Sequence, residues 1–345
     1  MVQVLFGEKI KEIRTNKQMS QLELSKAADI ERAQISRIEK GKVNITLETI
    51  EKLSEALNVD IKDLFTYNNY LVRPFVKWAG GKTQILAKLK ELMPKQYNDY
   101  YEPFVGGGAL LFSLTPNVAY INDTNDELVA AYRSLKNRKQ SQLMIDELIK
   151  HEQNHSEQYY LEIRAMDRQS DYVSLADYIK AARLIYLNKA CFNGLYRVNS
   201  QGYFNVPSGK KEKVNAFDRK SIKEIQRYFM DASINVSSTD FELAVATAKA
   251  GDFVYFDPPY DVYPNTLGFV DYSKNGFGKE EQARLAKVFH KLSKKGVLVM
   301  LSNHNTPYIN ELYKGYNIHV IKARRMINSN AKGRGPVEEV IITNY

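Results

Sequence analysis

Along the first 66 residues apolar positions recur at three- and four-residue steps. They run Leu5, Ile10 and Ile13, then Leu22, Leu24, Ala27 and Ala28, then Ile35 and Ile38, then Leu47, Ile50, Leu53 and Leu57. That period belongs to amphipathic helices, so five short helices are predicted. Ser20 with Glu23 three residues on makes a capping box, and Thr46 with Glu48 and Thr49 opens another helix after Gly41. Between Phe65 and Arg73 the chain turns polar and aromatic, and it then meets Pro74, as a linker would. From Phe75 onward, short apolar runs alternate with amphipathic stretches. Strands are predicted over 100–103, 118–122, 234–237, 253–257, 297–302, 318–321 and 337–343, and helices over 84–92, 125–136, 216–230, 241–248 and 279–292. Such alternation builds a doubly wound α/β sheet. The segment 134–233 breaks the rhythm, first helical and then rich in Gly, Asn and Tyr, and reads as a smaller domain inserted into the sheet domain. The expected organisation is a small all-α domain at 1–66, a linker at 67–74 and an α/β domain at 75–345 with its insertion at 134–233.

Composition narrows the function. With 44% hydrophobic residues over 345 positions, the chain can bury a sizeable core, which excludes disordered and collagen-like classes. No run of 18 apolar residues occurs, and the start MVQVLFGEKIKEIR is charged too soon for a signal peptide, so a soluble cytoplasmic protein with no membrane partner is expected. The single cysteine, Cys191, excludes an internal disulfide framework and an all-thiolate zinc site. His151 and His155 lack acidic or cysteine partners at ligand spacing, so no metal is expected. The net charge of +9 favours a polyanion. Residues 1–66 hold 11 basic and 11 acidic side chains, so all of the excess lies beyond them. Between Lys180 and Arg227 there are 11 basic residues and three acidic ones, and from Lys322 to Arg334 five basic residues stand without an acid. Clustering of this kind points to nucleic acid.

Within the N-terminal segment, 21–28 and 31–39 form two helices with a short turn between them, written SQLELSKAADIERAQISRIEKG. The stretch resembles the helix-turn-helix of Xre/Cro-like repressors. That resemblance implies that Arg32, Gln34, Ser36 and Arg37, near the start of the second helix, reach base edges in the major groove. A domain with no net charge can grip DNA only if Lys9, Lys11, Arg14, Arg32 and Arg37 face the duplex and the acids face away. The competing account is a helical bundle that docks a partner protein.

The strongest chemical signal is Asp257-Pro258-Pro259-Tyr260, directly after the apolar run 253–256. Two prolines cannot continue a parallel strand, so the tetrapeptide falls at its carboxyl end, where open α/β sheets bind ligands. Asp257 and the Pro258 carbonyl can accept the two hydrogens of an amino group, while Tyr260 offers a ring for stacking. An amine conjugated to a ring is a poor nucleophile; two acceptors turn its lone pair outward and stabilise the positive charge that grows on nitrogen. Upstream, YEPFVGGGA puts glycines between a strand and a helix without the G-x-G-x-x-G spacing of dehydrogenases. Gly80-Gly81-Lys82-Thr83 is no P-loop, since Val76 holds the place of its first glycine. Asp123, about 15 positions after the glycines, stands where a ribose diol would be held.

In order, FVKWAGGK, YEPFVGGGALLF, INDTN, NKACFNGLYRVNSQGYFNVPSGK, STDF and DPPY resemble the motifs of the Dam-type (D12 class, alpha group) DNA adenine-N6 methyltransferases, from Phe75 to Tyr345. The resemblance implies a Rossmann-like methyltransferase sheet that binds S-adenosylmethionine, an inserted target-recognition domain, and methyl transfer to the exocyclic amine of a flipped adenine in double-stranded DNA. It places Trp78, Lys82, Phe104, Gly106, Asp123, Asp240, Phe241 and Asp257 on cofactor positions and Asp257, Pro258, Pro259 and Tyr260 on the catalytic tetrapeptide. Asn193, Leu195 and Arg197 fall on the DNA-recognition hairpin, 193–207. GATC or a related site is the expected target, and a restriction endonuclease is an expected partner. Trp78 could equally pack a core, Lys82 could start a helix in solvent, Asp240 could serve the helix dipole, and Arg197 could touch only phosphate. Two rival functions remain: a helix-turn-helix repressor whose large domain only senses the cofactor, and an enzyme methylating RNA or a protein amide. Arg324, Arg325, Lys332 and Arg334 are expected on a loop touching backbone phosphate.

Overall fold

The computed structural model describes residues 2–65, 70, 72–78, 80–263, 276–324 and 336–345. Its packing divides the chain into two units, Met1–Asn69 and Tyr70–Tyr345.

In the first unit α1 (Val2–Asn16), α2 (Gln21–Ala28), α3 (Arg32–Glu39) and α4 (Leu47–Leu57) precede a 3-10 turn, Ile61–Phe65. The capping box at Ser20 forms: Ser20 Oγ accepts from Glu23 N and the Glu23 carboxylate accepts from Ser20 N. Phe6, Ile10, Leu24, Ile35, Ile38, Leu53 and Leu57 make the core. Leu22 and Leu47, counted in the apolar period, are exposed instead. Gly7 lets α1 touch α3, since a Cβ there would stand 2.1 Å from the Ile38 carbonyl oxygen. Arg14 does not face outward as the charge argument required. It is buried, with Nε 2.5 Å and Nη2 3.2 Å from the two oxygens of Glu39, and Gln21 donates to the same carboxylate at 2.8 Å. This cluster fastens α1, α2 and α3 together. Surface spacing alone could not separate Arg14 from its exposed neighbours, because its partner lies 25 residues away.

The second unit is a mixed α/β domain. Its strands are β1 (Tyr100–Glu102), β2 (Val118–Asn122), β3 (Ser233–Ser237), β4 (Phe253–Phe256), β5 (Leu298–His304), β6 (Asn317–Arg324) and β7 (Pro336–Thr343). They form one sheet in the order β3-β2-β1-β4-β5-β7-β6. The first five pair in parallel, and β7 runs antiparallel to both its neighbours. Helices α5 (Leu86–Leu92) and α6 (Ala109–Leu114) surround β1. Between β2 and β3 come α7 (Asp126–Lys136), α8 (Arg138–Gln153), α9 (Glu157–Ala165), α10 (Asp177–Ala190) and α11 (Arg219–Asp231), and then α12 (Phe241–Ala244), α13 (Lys279–Lys294) and α14 (Pro307–Leu312). Apolar clusters lie on both sheet faces, and β4 is buried along its whole length. A helix over 241–248 does not form: α12 ends after four residues, and the following turns bury Val245 and Ala248.

The insertion is organised around Arg183 of α10, which is fully buried. Its guanidinium lies 2.5 Å from Glu127 of α7 and 2.8 Å from Asp167, and it donates to the Ile163 and Arg164 carbonyls. Asp167 also accepts from Phe204 N, which ties the 193–207 segment to this node. Of the expected linker, 66–69 and 71 lie outside the described residues, as do Arg325, Lys332 and Arg334 of the expected phosphate loop. Among the described residues no helix is long and apolar enough to cross a membrane, and no group of three His, Cys, Asp or Glu side chains could hold a metal.

Candidate active site

β1 pairs with β2 on one side and β4 on the other, so the chain crosses in opposite directions from this strand and leaves a crevice at the carboxyl ends. Four segments meet there. After β1 the chain turns through Gly106 and Gly108, with φ of +48° and +72°. A Cβ on Gly106 would stand 2.8 Å from the Trp78 ring, so bare backbone lies against the indole. The Gly106 N–H donates to Asp123 at 3.0 Å, Asn125 N donates to its other oxygen at 2.9 Å, and Tyr132 donates to the Gly106 carbonyl. Burial nevertheless lifts the Asp123 carboxyl to about 6. Asn122, at the end of β2, donates to the Pro103 and Thr239 carbonyls and so locks the glycine turn to the segment before α12.

Asp240 caps α12 and pairs with both nitrogens of Arg284 at 2.9 and 2.6 Å, hydrogen bonds that hold its carboxyl below the usual range. Arg284 also lies over the Phe241 ring, and Phe241 packs at 5.5 Å on Phe104. Both the dipole role and the cofactor position remain compatible with this geometry.

Asp257 to Tyr260 follow β4. Lys82 Nζ stands 2.8 Å from Asp257 Oδ1 and 4.7 Å above the Tyr260 ring, and it donates to the Gly80 carbonyl. The Lys82 contact is close but poorly aligned as a hydrogen bond, so Asp257 Oδ1 keeps acceptor capacity. Burial raises the Asp257 carboxyl, and Lys82 opposes that rise. Behind the tetrapeptide lies a polar network of residues to which the sequence assigned no role. Gln282 of α13 donates to the Pro259 carbonyl at 2.8 Å; Asn303 of β5 donates to Gln282 at 3.0 Å and accepts from Asp261 N at 2.8 Å. Thr306 donates to the Asp261 carboxylate at 2.5 Å. The signal for this network was an asparagine at the end of an apolar strand. Glu102 is likewise buried at the end of β1, accepts from the Tyr100 hydroxyl at 2.8 Å, and is pushed by burial to about 8.

The 193–207 segment sits beside this cleft. Asn188 exchanges two hydrogen bonds with the Lys77 backbone and donates to the Gly194 carbonyl. Asn193 is exposed in a left-handed conformation, Leu195 is half-buried, and Arg197 donates through Nε and Nη2 to Asn205. The fork expected to face a base edge is thus partly engaged within its own hairpin. In the first unit Arg32, Gln34 and Arg37 share the exposed side of α3, while Ile35 and Ile38 point inward.

Comparison with known proteins bears on both units. Residues 78–327 match the family described as D12 class N6 adenine-specific DNA methyltransferase, and residues 10–64 match the helix-turn-helix family. A type II methyltransferase of Lactococcus lactis subsp. cremoris is 44% identical over 82% of this chain and 99% of its own. Another type II methyltransferase, of Methanocaldococcus jannaschii, is 37% identical over 79% of this chain and 99% of its own. The DNA adenine methylase of Escherichia coli K12 is 33% identical over 78% of this chain and 94% of its own.

Proposed function

The chain belongs to the D12 class of N6 adenine-specific DNA methyltransferases and carries a helix-turn-helix domain at its N-terminal side; on that premise we propose that it methylates N6 of an adenine flipped out of duplex DNA, in GATC or a related site, with S-adenosylmethionine as donor. The observation that carries this is Asp257 Oδ1, a buried acceptor with capacity left beside its Lys82 contact, next to the Tyr260 ring.

The residues fit such a donor molecule. Bare backbone at Gly106 against Trp78 admits a close ligand, the Asp123 carboxylate has lone pairs left for hydroxyls, and Phe104 with Phe241 offers an aromatic wall. When bound, S-adenosylmethionine supplies an electrophilic methyl group on a sulfonium that leaves as a thioether. Until a base arrives, Lys82 offsets part of the cost of burying the Asp257 charge. Asp257 Oδ1 and the Pro258 carbonyl then accept the two amine hydrogens, which directs the nitrogen lone pair to the incoming carbon. Tyr260 supplies the ring face on which the adenine stacks. As the N–C bond forms, nitrogen becomes cationic and sheds one proton; Asp257 Oδ1, its basicity raised by burial, is placed to take it. Gln282 and Asn303 keep the tetrapeptide in place throughout.

Leu195, Arg197 and Asn193 contact the target in this scheme. Exposed Arg32, Gln34 and Arg37 of α3 bind a separate duplex site. The type II relatives support a role in restriction-modification, with an endonuclease as partner, in the cytoplasm. Labelled methyl transfer tests the whole: duplex DNA should be labelled at adenine N6, and RNA and protein should not. A chain beginning at Tyr70 should methylate the same sequence as the full chain and lose protection of the separate site in footprints. A changed methylation sequence would place the helix-turn-helix in target recognition.

A further inference from the structure

Trp78 and the recognition hairpin are in direct contact. The Tyr196 ring, between Leu195 and Arg197, stacks on the Trp78 indole with centroids 4.9 Å apart and planes 27° from parallel, and it packs on Phe204 of the returning arm at 5.6 Å. Its hydroxyl faces Asn125, whose backbone N–H donates to Asp123. Tyr196 therefore touches both rims of the cleft assigned to the cofactor while its two sequence neighbours are those assigned to bases.

We propose that Tyr196 is a positioning residue that couples cofactor binding to target recognition: a ligand seated between Gly106 and Asp123 immobilises Trp78 and Asn125, and through Tyr196 it orders the hairpin for its target. The physical basis is shared ordering. Fixing an aromatic stack and a hairpin costs conformational entropy, and the ligand that meets that cost first lowers it for the second. Linkage makes the effect reciprocal, so each ligand tightens the other by one common factor. The hairpin holds its own shape through bridges at Val198–Phe204 and Cys191–Ser208 and backbone hydrogen bonds from Asn199 to Tyr203 and from Asn205 to Arg197, so a shift at Tyr196 is passed to its two neighbours. Asn188 anchors its base to the Lys77 backbone, and the Tyr196 stack joins it to Trp78.

The inference rests on the methyltransferase function proposed above, and the test separates the two. Full-length enzyme is titrated with its methylated-site duplex and with a scrambled duplex, with and without sinefungin, a non-reactive analogue of the cofactor. In the wild type sinefungin should tighten the site duplex by about five-fold or more, with little effect on the scrambled one. Tyr196→Phe keeps the stack and should keep most of this factor. Tyr196→Leu keeps apolar volume without the stack and should bind each ligand alone nearly as before, yet with a coupling factor near one. If Tyr196→Leu melts early, Tyr196→Met, which likewise keeps apolar volume without the ring, is read in the same way. A wild-type coupling factor of one, or an undiminished factor in Tyr196→Leu and Tyr196→Met, overturns the proposal. Absence of any methyl transfer by the wild type would instead overturn the function on which it rests.

Discussion

Arg14–Glu39 in the first unit and Lys82–Asp257 in the second are both buried ion pairs, and they differ in what the carboxylate has left to do. Glu39 meets Arg14 through both oxygens and takes a third hydrogen bond from Gln21, so its acceptor capacity is spent on holding three helices. Asp257 meets Lys82 through a contact without hydrogen-bond alignment, and its Oδ1 keeps an unused lone pair beside an aromatic ring. Buried charges are costly to leave uncompensated. Glu39 spends its acceptors within the fold, whereas Asp257 keeps acceptor capacity at the end of β4, where donors of a ligand can meet it.

The contrast breaks most visibly at Asp257. Asp257→Ala should cut methyl transfer by at least about 10²–10³-fold, while sinefungin binding stays near wild type. Turnover at the wild-type rate would refute the amine-cradling mechanism. At the other pair the effect should fall on stability. Glu39→Ala leaves Arg14 buried without its partner and should destabilise the N-terminal unit by about 3–5 kcal/mol, read by chemical denaturation, with methylation of short duplexes unchanged. Replacing both partners, Arg14→Met with Glu39→Leu, should recover most of that loss; failure to recover would mean the pair does more than brace helices.

Two smaller effects sharpen the comparison. Arg197→Ala should cost roughly 1–3 kcal/mol of discrimination at one base pair, measured as methylation of the target against single-base variants. Equal losses on all of them would assign the guanidinium to phosphate. Glu102 gives the smallest. Its folded pKa of about 8 lies above that of an unfolded glutamate, so the native state holds a proton the unfolded chain releases. Stability from this group is therefore lost as pH rises from the unfolded value toward 8, by at most about 1.4 kcal/mol across the unit from pH 7 to 8. Glu102→Gln stays neutral, and its melting temperature should be flatter over that interval; parallel curves for variant and wild type would contradict the burial argument.

The elements of the sheet domain were legible because period-two and period-3.6 patterns are local. The seven strands fall where apolar runs placed them, and the residues expected at the cleft, Trp78, Lys82, Gly106, Asp123, Asp240 and Asp257, lie on turns at strand ends or helix starts, where Gly, Pro and Asp announce themselves. What the sequence by itself determined is therefore the order of elements, the presence of two units, and the place of the tetrapeptide at the end of β4. Partnerships over long separations were decided by the tertiary structure alone. Arg14 looked like a surface cation until α1 met α3; Asp240 looked like a simple cap until Arg284 arrived from α13; Gln282 and Asn303 had no local reason to converge on the Pro259 carbonyl. A hydrogen bond between residues more than 20 positions apart leaves no periodic trace, since its geometry exists only once packing has brought two surfaces together. Local patterns state which face each element turns inward, and only the assembled fold states which buried charge is satisfied there and which is left open for chemistry.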